Sequence, residues 1–197
     1  MTKRETPIEE LNTILNGGIP PGKIVHIFGE SLTGKTCLSY LISTNYKTLY
    51  INAEFSFYKE QLSFIRNDID NVSVGTVYEF SDVKKLIIEN APLYDYIILD
   101  SLAFIYNDYI SIKEFFDGLA TTLQENDCTL IITNQIRDSI RSRRKKALGA
   151  TSLSVYFDIV LRTYPKLKGT KQQIEVIKNK ISVPTKQYFE LEWKKDD

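Results

Sequence analysis

Residues 29–36, with the sequence Gly-Glu-Ser-Leu-Thr-Gly-Lys-Thr, limit the possible folds of this chain more than any other stretch. Two glycines separated by four residues let the backbone turn tightly, so that successive N–H groups point inward. Residues 23–28 before the loop are typical of a buried strand, and residues 37–42 after it are typical of an apolar helix. Because the positive end of that helix dipole faces the loop, the strand, loop and helix together predict a cradle for phosphate groups.

Two residues at the end of this loop have side chains suited to a nucleoside triphosphate. Lys35 has the reach to contact the outer phosphates, and the hydroxyl of Thr36 is a ligand for Mg²⁺. The alternative is a glycine-rich turn followed by a solvated lysine. The predicted nucleotide-binding residues are Gly29, Glu30, Ser31, Leu32, Thr33, Gly34, Lys35, Thr36 and Cys37.

Polar residues at three predicted strand ends supply the other groups that nucleotide hydrolysis needs. Asp100 directly follows the apolar residues 96–99 and is predicted to organise Mg²⁺, although an aspartate there is also typical of a turn cap. Glu54 follows the strand-like residues 49–52 and is the candidate general base. Gln135 is placed to contact the terminal phosphate and report its presence to the segment that follows. A simple loop role is the alternative for Glu54 and Gln135.

Composition places the chain among ordinary globular proteins. It has 197 residues, with 43% hydrophobic and 25% charged residues and zero net charge, so attraction to nucleic acid has to come from local clusters. Cys37 and Cys128 fall in a predicted helix and strand, which favours small buried residues over a disulfide. No apolar run approaches the roughly 20 residues that span a bilayer. We therefore expect a cytoplasmic protein that does not enter a membrane.

The order of apolar segments predicts one α/β domain over residues 1–197. Residues 96–99 and 129–132 are continuous apolar runs, as expected for parallel strands that are buried on both faces. Between them, apolar residues at helical spacing predict one amphipathic crossover helix over 112–123. After residue 150, strand-like runs follow one another without helices, which predicts an antiparallel extension at one edge of the sheet. These runs are residues 155–163, 173–178 and 187–193.

Several motifs in the same order give the chain a resemblance to the ATPase core of the RecA/RadA recombinase superfamily, from about Ile8 to Trp193. Besides the phosphate loop, the motifs are the leader 11–20, Asn-Ala-Glu at 52–54, Leu-Asp-Ser at 99–101 and Thr-Asn-Gln at 133–135. The resemblance implies a RecA-like P-loop fold with a mostly parallel sheet, ATP and Mg²⁺ as ligands, and DNA recombination and repair as the process. Within this superfamily, the chain resembles RadB or an archaeal RadA paralogue.

By the same resemblance, two lysines become candidates for action on a neighbouring subunit. Residues 176–184 are similar to the bacterial RecA segment that crosses a subunit interface, where two lysines contact the phosphates bound by the neighbour. Lys178 and Lys180 stand at those positions. The alternative is a pair of solvated lysines beside an edge strand.

A basic segment follows Gln135 at the place of the second DNA-binding loop of the family. Residues 136–146 carry six basic side chains and one acidic one. No aromatic residue lies there, so contact with DNA is expected to be electrostatic and salt-sensitive, with single-stranded or double-stranded DNA. A solvated run of charges is the alternative. The candidate DNA-binding residues are Arg137, Arg141, Arg143, Arg144, Lys145 and Lys146.

The chain also departs from the family pattern. No helical N-terminal DNA-binding domain and no interface hook precede Ile8, so we expect an accessory of a full-length recombinase, with homo-oligomers left open. Gln61 stands where relatives often cover the adenine, and Tyr58 is an alternative. There are two alternative functions. One is a KaiC-like signalling ATPase with protein partners, and the other is an ATP-dependent interaction module with little hydrolysis. His26, the only histidine, is assigned to packing.

Overall fold

The computed structural model describes residues 2–53, 71–77, 80–102, 109–137, 146–147, 154–165, 171–181 and 187–193. Five α-helices lie in these ranges: α1 Glu9–Ile14, α2 Lys35–Ser43, α3 Phe80–Asn90, α4 Tyr109–Phe116 and α5 Leu119–Glu125. The strands are β1 Ile24–Gly29, β2 Thr48–Asn52, β3 Val72–Thr76, β4 Tyr96–Asp100, β5 Thr129–Arg137, β6 Lys146–Ala147, β7 Ile159–Thr163, β8 Lys171–Asn179 and β9 Gln187–Glu192.

The strands form one sheet in the order β3-β2-β4-β5-β1-β7-β8-β9, and β6 pairs with the end of β5. Every pair from β3 to β7 is parallel, whereas β8 and β9 run antiparallel. The predicted mostly parallel sheet with a C-terminal antiparallel extension is therefore confirmed. The extension is smaller than the sequence suggested, because β7 is parallel to β1 and only the β7–β8 and β8–β9 pairs are antiparallel.

Apolar side chains cover both faces of the sheet. In β4, Ile97 and Leu99 pack in one core cluster, whereas Tyr96 and Ile98 pack in the other. The first cluster includes residues of α3, α4 and α5, and the second includes residues of α1 and α2. Successive residues of a strand point to opposite faces, which explains why residues 96–99 of β4 are a continuous apolar run.

The helices differ from the predicted pattern at two places. The single helix expected over 112–123 is two helices, α4 and α5, because Gly118 adopts φ +73 and begins a new helix. The helix α3 was not predicted at all. Among the described residues, no helix has both the length and the apolar character needed to cross a membrane.

The amino-terminal ends of two central strands are held by Arg4. Its guanidinium donates to the carbonyl oxygens of Asp95 at 3.0 Å and Asp127 at 2.7 Å, and it pairs with the Asp95 carboxylate at 2.8 Å. These two aspartates lie just before β4 and β5. The N-terminal segment is thus fixed to the edge of the sheet opposite the glycine loop.

His26 is a packing residue, as predicted. Its side chain is 1% exposed, and its ring stacks on those of Phe157, at 4.3 Å between centroids, and Phe28, at 5.4 Å. Its Nε2 atom has no hydrogen-bond partner among the described residues. Burial lowers the pKa of His26 from 6.5 to about 3, so the imidazole is neutral in the folded chain at neutral pH.

This burial predicts acid sensitivity of the fold. Between its folded and unfolded pKa values, His26 is protonated only in the unfolded chain, so the free energy of unfolding falls as pH falls below about 6.5. From about pH 6 to pH 4 the loss due to this one group is about 2 to 3 kcal/mol. Urea unfolding of the natural chain and of His26→Phe at both pH values measures the difference, since carboxylate titration is common to both. Equal pH slopes for the two proteins would contradict it.

Candidate functional site

The glycine loop joins β1 to α2, and both of its glycines are required by their surroundings. A Cβ on Gly29 would lie 2.1 Å from the Thr163 hydroxyl oxygen on β7. Gly34 adopts φ +66 and caps α2, and a Cβ there would lie 3.0 Å from the side chain of Gln172. Gly29 has no room for a Cβ, and a side chain at Gly34 would be strained by the positive φ and tight against Gln172, which agrees with the predicted phosphate loop.

Polar groups of the loop converge on one carbonyl. The Lys35 amine donates to the Glu30 carbonyl oxygen at 2.7 Å, and the Thr33 hydroxyl donates to the same oxygen at 2.8 Å. The amine is therefore held at the loop. Ser31 and Leu32 form its exposed tip, and Cys37 is half-buried in the first turn of α2.

Asp100 is the centre of a cluster of hydroxyl groups at the end of β4. The Thr36 hydroxyl donates to Asp100 Oδ2 at 2.6 Å. Tyr50 on β2 donates to the same oxygen, and Thr133 on β5 donates to Asp100 Oδ1. The predicted Mg²⁺ pair, Thr36 and Asp100, is thus brought together, and a hydroxyl next to a carboxylate is an oxygen donor set that suits this hard cation.

Burial keeps the Tyr50 phenol protonated. Its side chain is 0% exposed, and burial together with the neighbouring Asp100 carboxylate raises the pKa of Tyr50 far above its usual value. The phenol is therefore a permanent hydrogen-bond donor. It fixes the rotation of the carboxylate without competing for a proton.

The strand register places Gln135 directly beside Gly29, the first residue of the loop. Glu54 lies outside the described residues. The chain leading to it is described as far as Ala53, whose N–H donates to the Asp100 carbonyl oxygen at 2.8 Å. The carboxyl ends of β1, β2, β4 and β5 therefore meet at the same edge, where open α/β sheets bind ligands.

Lys178 and Lys180 lie away from the loop of their own chain. On β8, Ile174 pairs with Thr163 next to Gly29, and Lys178 comes four residues later, about 13 Å along the strand. The Lys178 amine donates to the Ser154 carbonyl, and Lys180 pairs with Asp158 at 3.8 Å. Burial and the charge of Lys180 lower the pKa of Lys178. Contact with a neighbour's phosphates stays a prediction for both lysines.

The basic segment starts and ends in a strand pair. Arg137 at the end of β5 pairs with Lys146 at the start of β6, and Ile136 pairs with Ala147. The segment therefore departs from and returns to the edge of the sheet that carries Gln135. The other candidate DNA-binding residues, Arg141, Arg143, Arg144 and Lys145, lie outside the described residues, as do Gln61 and Tyr58.

Four residues of the site were not predicted from the sequence. A tyrosine in an otherwise apolar run was a signal for Tyr50, because a buried phenol usually has a hydrogen-bond partner. Thr133 was part of a quoted motif but received no role. Gln172 and Trp193 gave no local signal: the Gln172 amide donates to the Thr33 carbonyl, 139 positions away, and the Trp193 indole donates to Gln172.

Known proteins are similar to most of the chain. The family model described as "ATPase: KaiC" matches residues 4–70. Protein RecA of Malacoplasma penetrans is 29% identical over 90% of this chain and 64% of its own length. The DNA repair and recombination protein RadB of Thermoplasma acidophilum is 25% identical over 89% of this chain and 85% of its own length.

The extent of these matches differs between relatives. The chain spans 56 to 64% of the length of three bacterial RecA proteins that it matches. A crystal structure of the RadB recombinase superposes with a TM-score of 0.78 at 17% identity, and the match covers 98% of this chain and 96% of that one. This structural likeness shows a shared fold. Taken with the sequence matches, it shows that the chain is similar to RecA and RadB proteins and has a RecA-like α/β fold.

Proposed function

We propose that this chain binds ATP with Mg²⁺, hydrolyses the ATP, and binds DNA in recombination and repair. The observation that carries the nucleotide part is the Asp100 cluster, in which Thr36 from the loop and Tyr50 and Thr133 from neighbouring strands meet one carboxylate. Nucleoside triphosphatases of the P-loop type hold Mg²⁺ with such a hydroxyl and carboxylate. The name of the RadB relative, a DNA repair and recombination protein, supports recombination and repair.

Each side chain has a task in this proposal. Lys35 and the loop N–H groups bind phosphate oxygens, and Thr36 with Asp100 holds the Mg²⁺, which when bound offsets phosphate charge. Glu54 takes the proton of the attacking water. Gln135, beside Gly29, contacts the terminal phosphate and links its presence to the basic segment that begins at Arg137.

Within recombination and repair, we propose that the chain acts as an accessory to a full recombinase. The support is the likeness to RadB in sequence and fold. A second candidate is a KaiC-like signalling ATPase with a protein partner, which the matching family model favours. DNA affinity separates the two functions, because only the first requires it.

ATP binding is expected to change the fluorescence of Trp193, the only tryptophan of the chain. Its ring lies close to Gly34, 3.5 Å from the position of an added Cβ. Lys35→Ala should weaken ATP binding and abolish hydrolysis, because the outer phosphates lose their cation. Titration of ATP followed by emission, together with phosphate release, measures both effects. Hydrolysis by Lys35→Ala at the natural rate would rule out this site.

Tyr50→Phe is expected to raise the Mg²⁺ concentration needed for half-maximal ATP binding by about tenfold, because the Asp100 carboxylate loses one of the three hydroxyl donors that fix its rotation. The measurement is ATP affinity over a Mg²⁺ series. Tyr96→Phe is the matched control, since its buried hydroxyl on β4 has no hydrogen-bond partner among the described residues. A Mg²⁺ requirement unchanged by Tyr50→Phe would show that the phenol has no part in holding the cation.

Replacing Arg141, Arg143 and Arg144 together with Ala should weaken DNA binding and reduce its salt slope by about 2 to 3 units, at roughly 0.9 per lost phosphate contact. Binding of single-stranded and duplex DNA over a salt series measures the slope. The control is a triple Ala variant of the exposed Lys47, Lys85 and Lys113, which loses the same charge elsewhere.

Three outcomes separate the alternatives. An unchanged slope in the arginine variant would move the DNA contact away from this segment. No DNA affinity at low salt, with or without ATP, would favour the signalling function. If the chain left the strand-exchange rate of a full recombinase unchanged, the accessory role would be wrong.

A further inference from the structure

Gln172 lies behind the glycine loop, on a strand that belongs to the other end of the chain. It is the second residue of β8 and is 0% exposed. Its side-chain nitrogen donates to the Thr33 carbonyl and, at 3.2 Å, to the Tyr164 carbonyl. Its side-chain oxygen accepts from the Trp193 indole at 2.7 Å. Two carbonyls on one side and an N–H on the other define a single orientation of the amide.

The bond to Thr33 acts on a peptide group that belongs to the phosphate cradle. The Thr33 carbonyl and the Gly34 N–H are parts of the same peptide, which is planar and trans, so they point in opposite directions. Fixing the carbonyl against Gln172 at the back of the loop therefore directs the Gly34 N–H to the front. In loops of this type such N–H groups bind the phosphates.

Thr33 is also held from two other directions. Its hydroxyl donates to the Glu30 carbonyl at 2.8 Å and lies 2.7 Å from the Thr163 hydroxyl on β7. The side chain thus fixes the residue, whereas Gln172 fixes the plane of the peptide that follows it. Rotation of that peptide would break the bond to Gln172 without breaking the other two.

Trp193 also lies next to Gly34 and contacts Gln172. Its ring atom Cζ2 lies 3.5 Å from the position of an added Cβ on Gly34, and the Gln172 amide lies at 3.0 Å from the same position. The amide and the indole therefore pack against Gly34, the second glycine of the loop. Because the indole N–H donates to Gln172, it holds the amide with its nitrogen toward the loop.

We propose that Gln172 is a positioning residue for phosphate recognition: from β8 it fixes the Thr33–Gly34 peptide, and Trp193 fixes Gln172. The proposal rests on the proposed nucleotide binding. It extends the phosphate site to a buried amide outside the sequence motif, and it concerns the phosphate chain and not the base. Affinity for the phosphates is set in part by a pair of residues on the antiparallel extension.

The test is calorimetric binding of ATP and of inorganic triphosphate to the full chain and its variants. Gln172→Leu, which cannot hydrogen-bond, should weaken both ligands by the same factor of about ten, because both use the same peptide. Gln173→Leu is the matched control: it is the next residue of β8 and points to the opposite face of the sheet. It should bind both ligands as the natural chain does.

A double-variant cycle distinguishes positioning from general loosening of the fold. Trp193→Phe keeps an aromatic ring and removes the N–H, so it should weaken ATP by less than Gln172→Leu. Combining the two changes should cost no more than Gln172→Leu alone, because Trp193 acts through Gln172. Trp193→Phe also provides the test if Gln172→Leu does not fold.

The results of these experiments show whether the role of Gln172 or the proposed nucleotide binding is wrong. Equal ATP affinity in the natural chain, Gln172→Leu and Trp193→Phe would overturn the role of Gln172 and leave nucleotide binding intact. Additive losses in the double variant would show two independent structural effects and would likewise overturn it. Absence of ATP and triphosphate binding in the natural chain would overturn the proposed function itself.

Discussion

The parallel register of β1 with its two neighbours is the constraint on which the site depends. Hydrogen bonding along β1 sets Gly29 level with Gln135 on β5 and with Thr163 on β7. A slip by one residue would turn every side chain of a strand to the other face. It would also remove the close fit of Gly29 against Thr163, where no Cβ can be accommodated. The loop, Gln135 and the strand that leads to the antiparallel extension are therefore aligned by one set of main-chain bonds.

The features predictable from the sequence are those with a local signal. The loop motif, the apolar runs of β4 and β5 and the aspartate that ends β4 are each contained in a few neighbouring residues, and the structure places them as expected. The break between α4 and α5 was hidden because apolar residues continue at helical spacing across Gly118. For β7, strand character was evident, but its direction is set by pairing with β1, which is remote in sequence.

The residues that hold the site in place are spread along the chain, whereas the loop motif is one short segment. Asp100 receives hydroxyl groups from the loop helix and from two neighbouring strands, and the loop peptide is held from β8. These contacts join residues that are 33 to 139 positions apart, so a short stretch of sequence does not contain both partners. A motif search identifies the groups that would touch the nucleotide. The groups that fix their geometry appear only when the strands are arranged in space.

The position of Trp193 has a practical consequence for handling this protein. The indole donates to the amide that contacts the Thr33 carbonyl, so the ring, the amide and the glycine loop are joined by two hydrogen bonds. Oxidation of this indole during storage would therefore alter the support of the loop as well as the ring itself. Preparations that are compared with one another should have Trp193 in the same chemical state, which the mass of the peptide containing it reports.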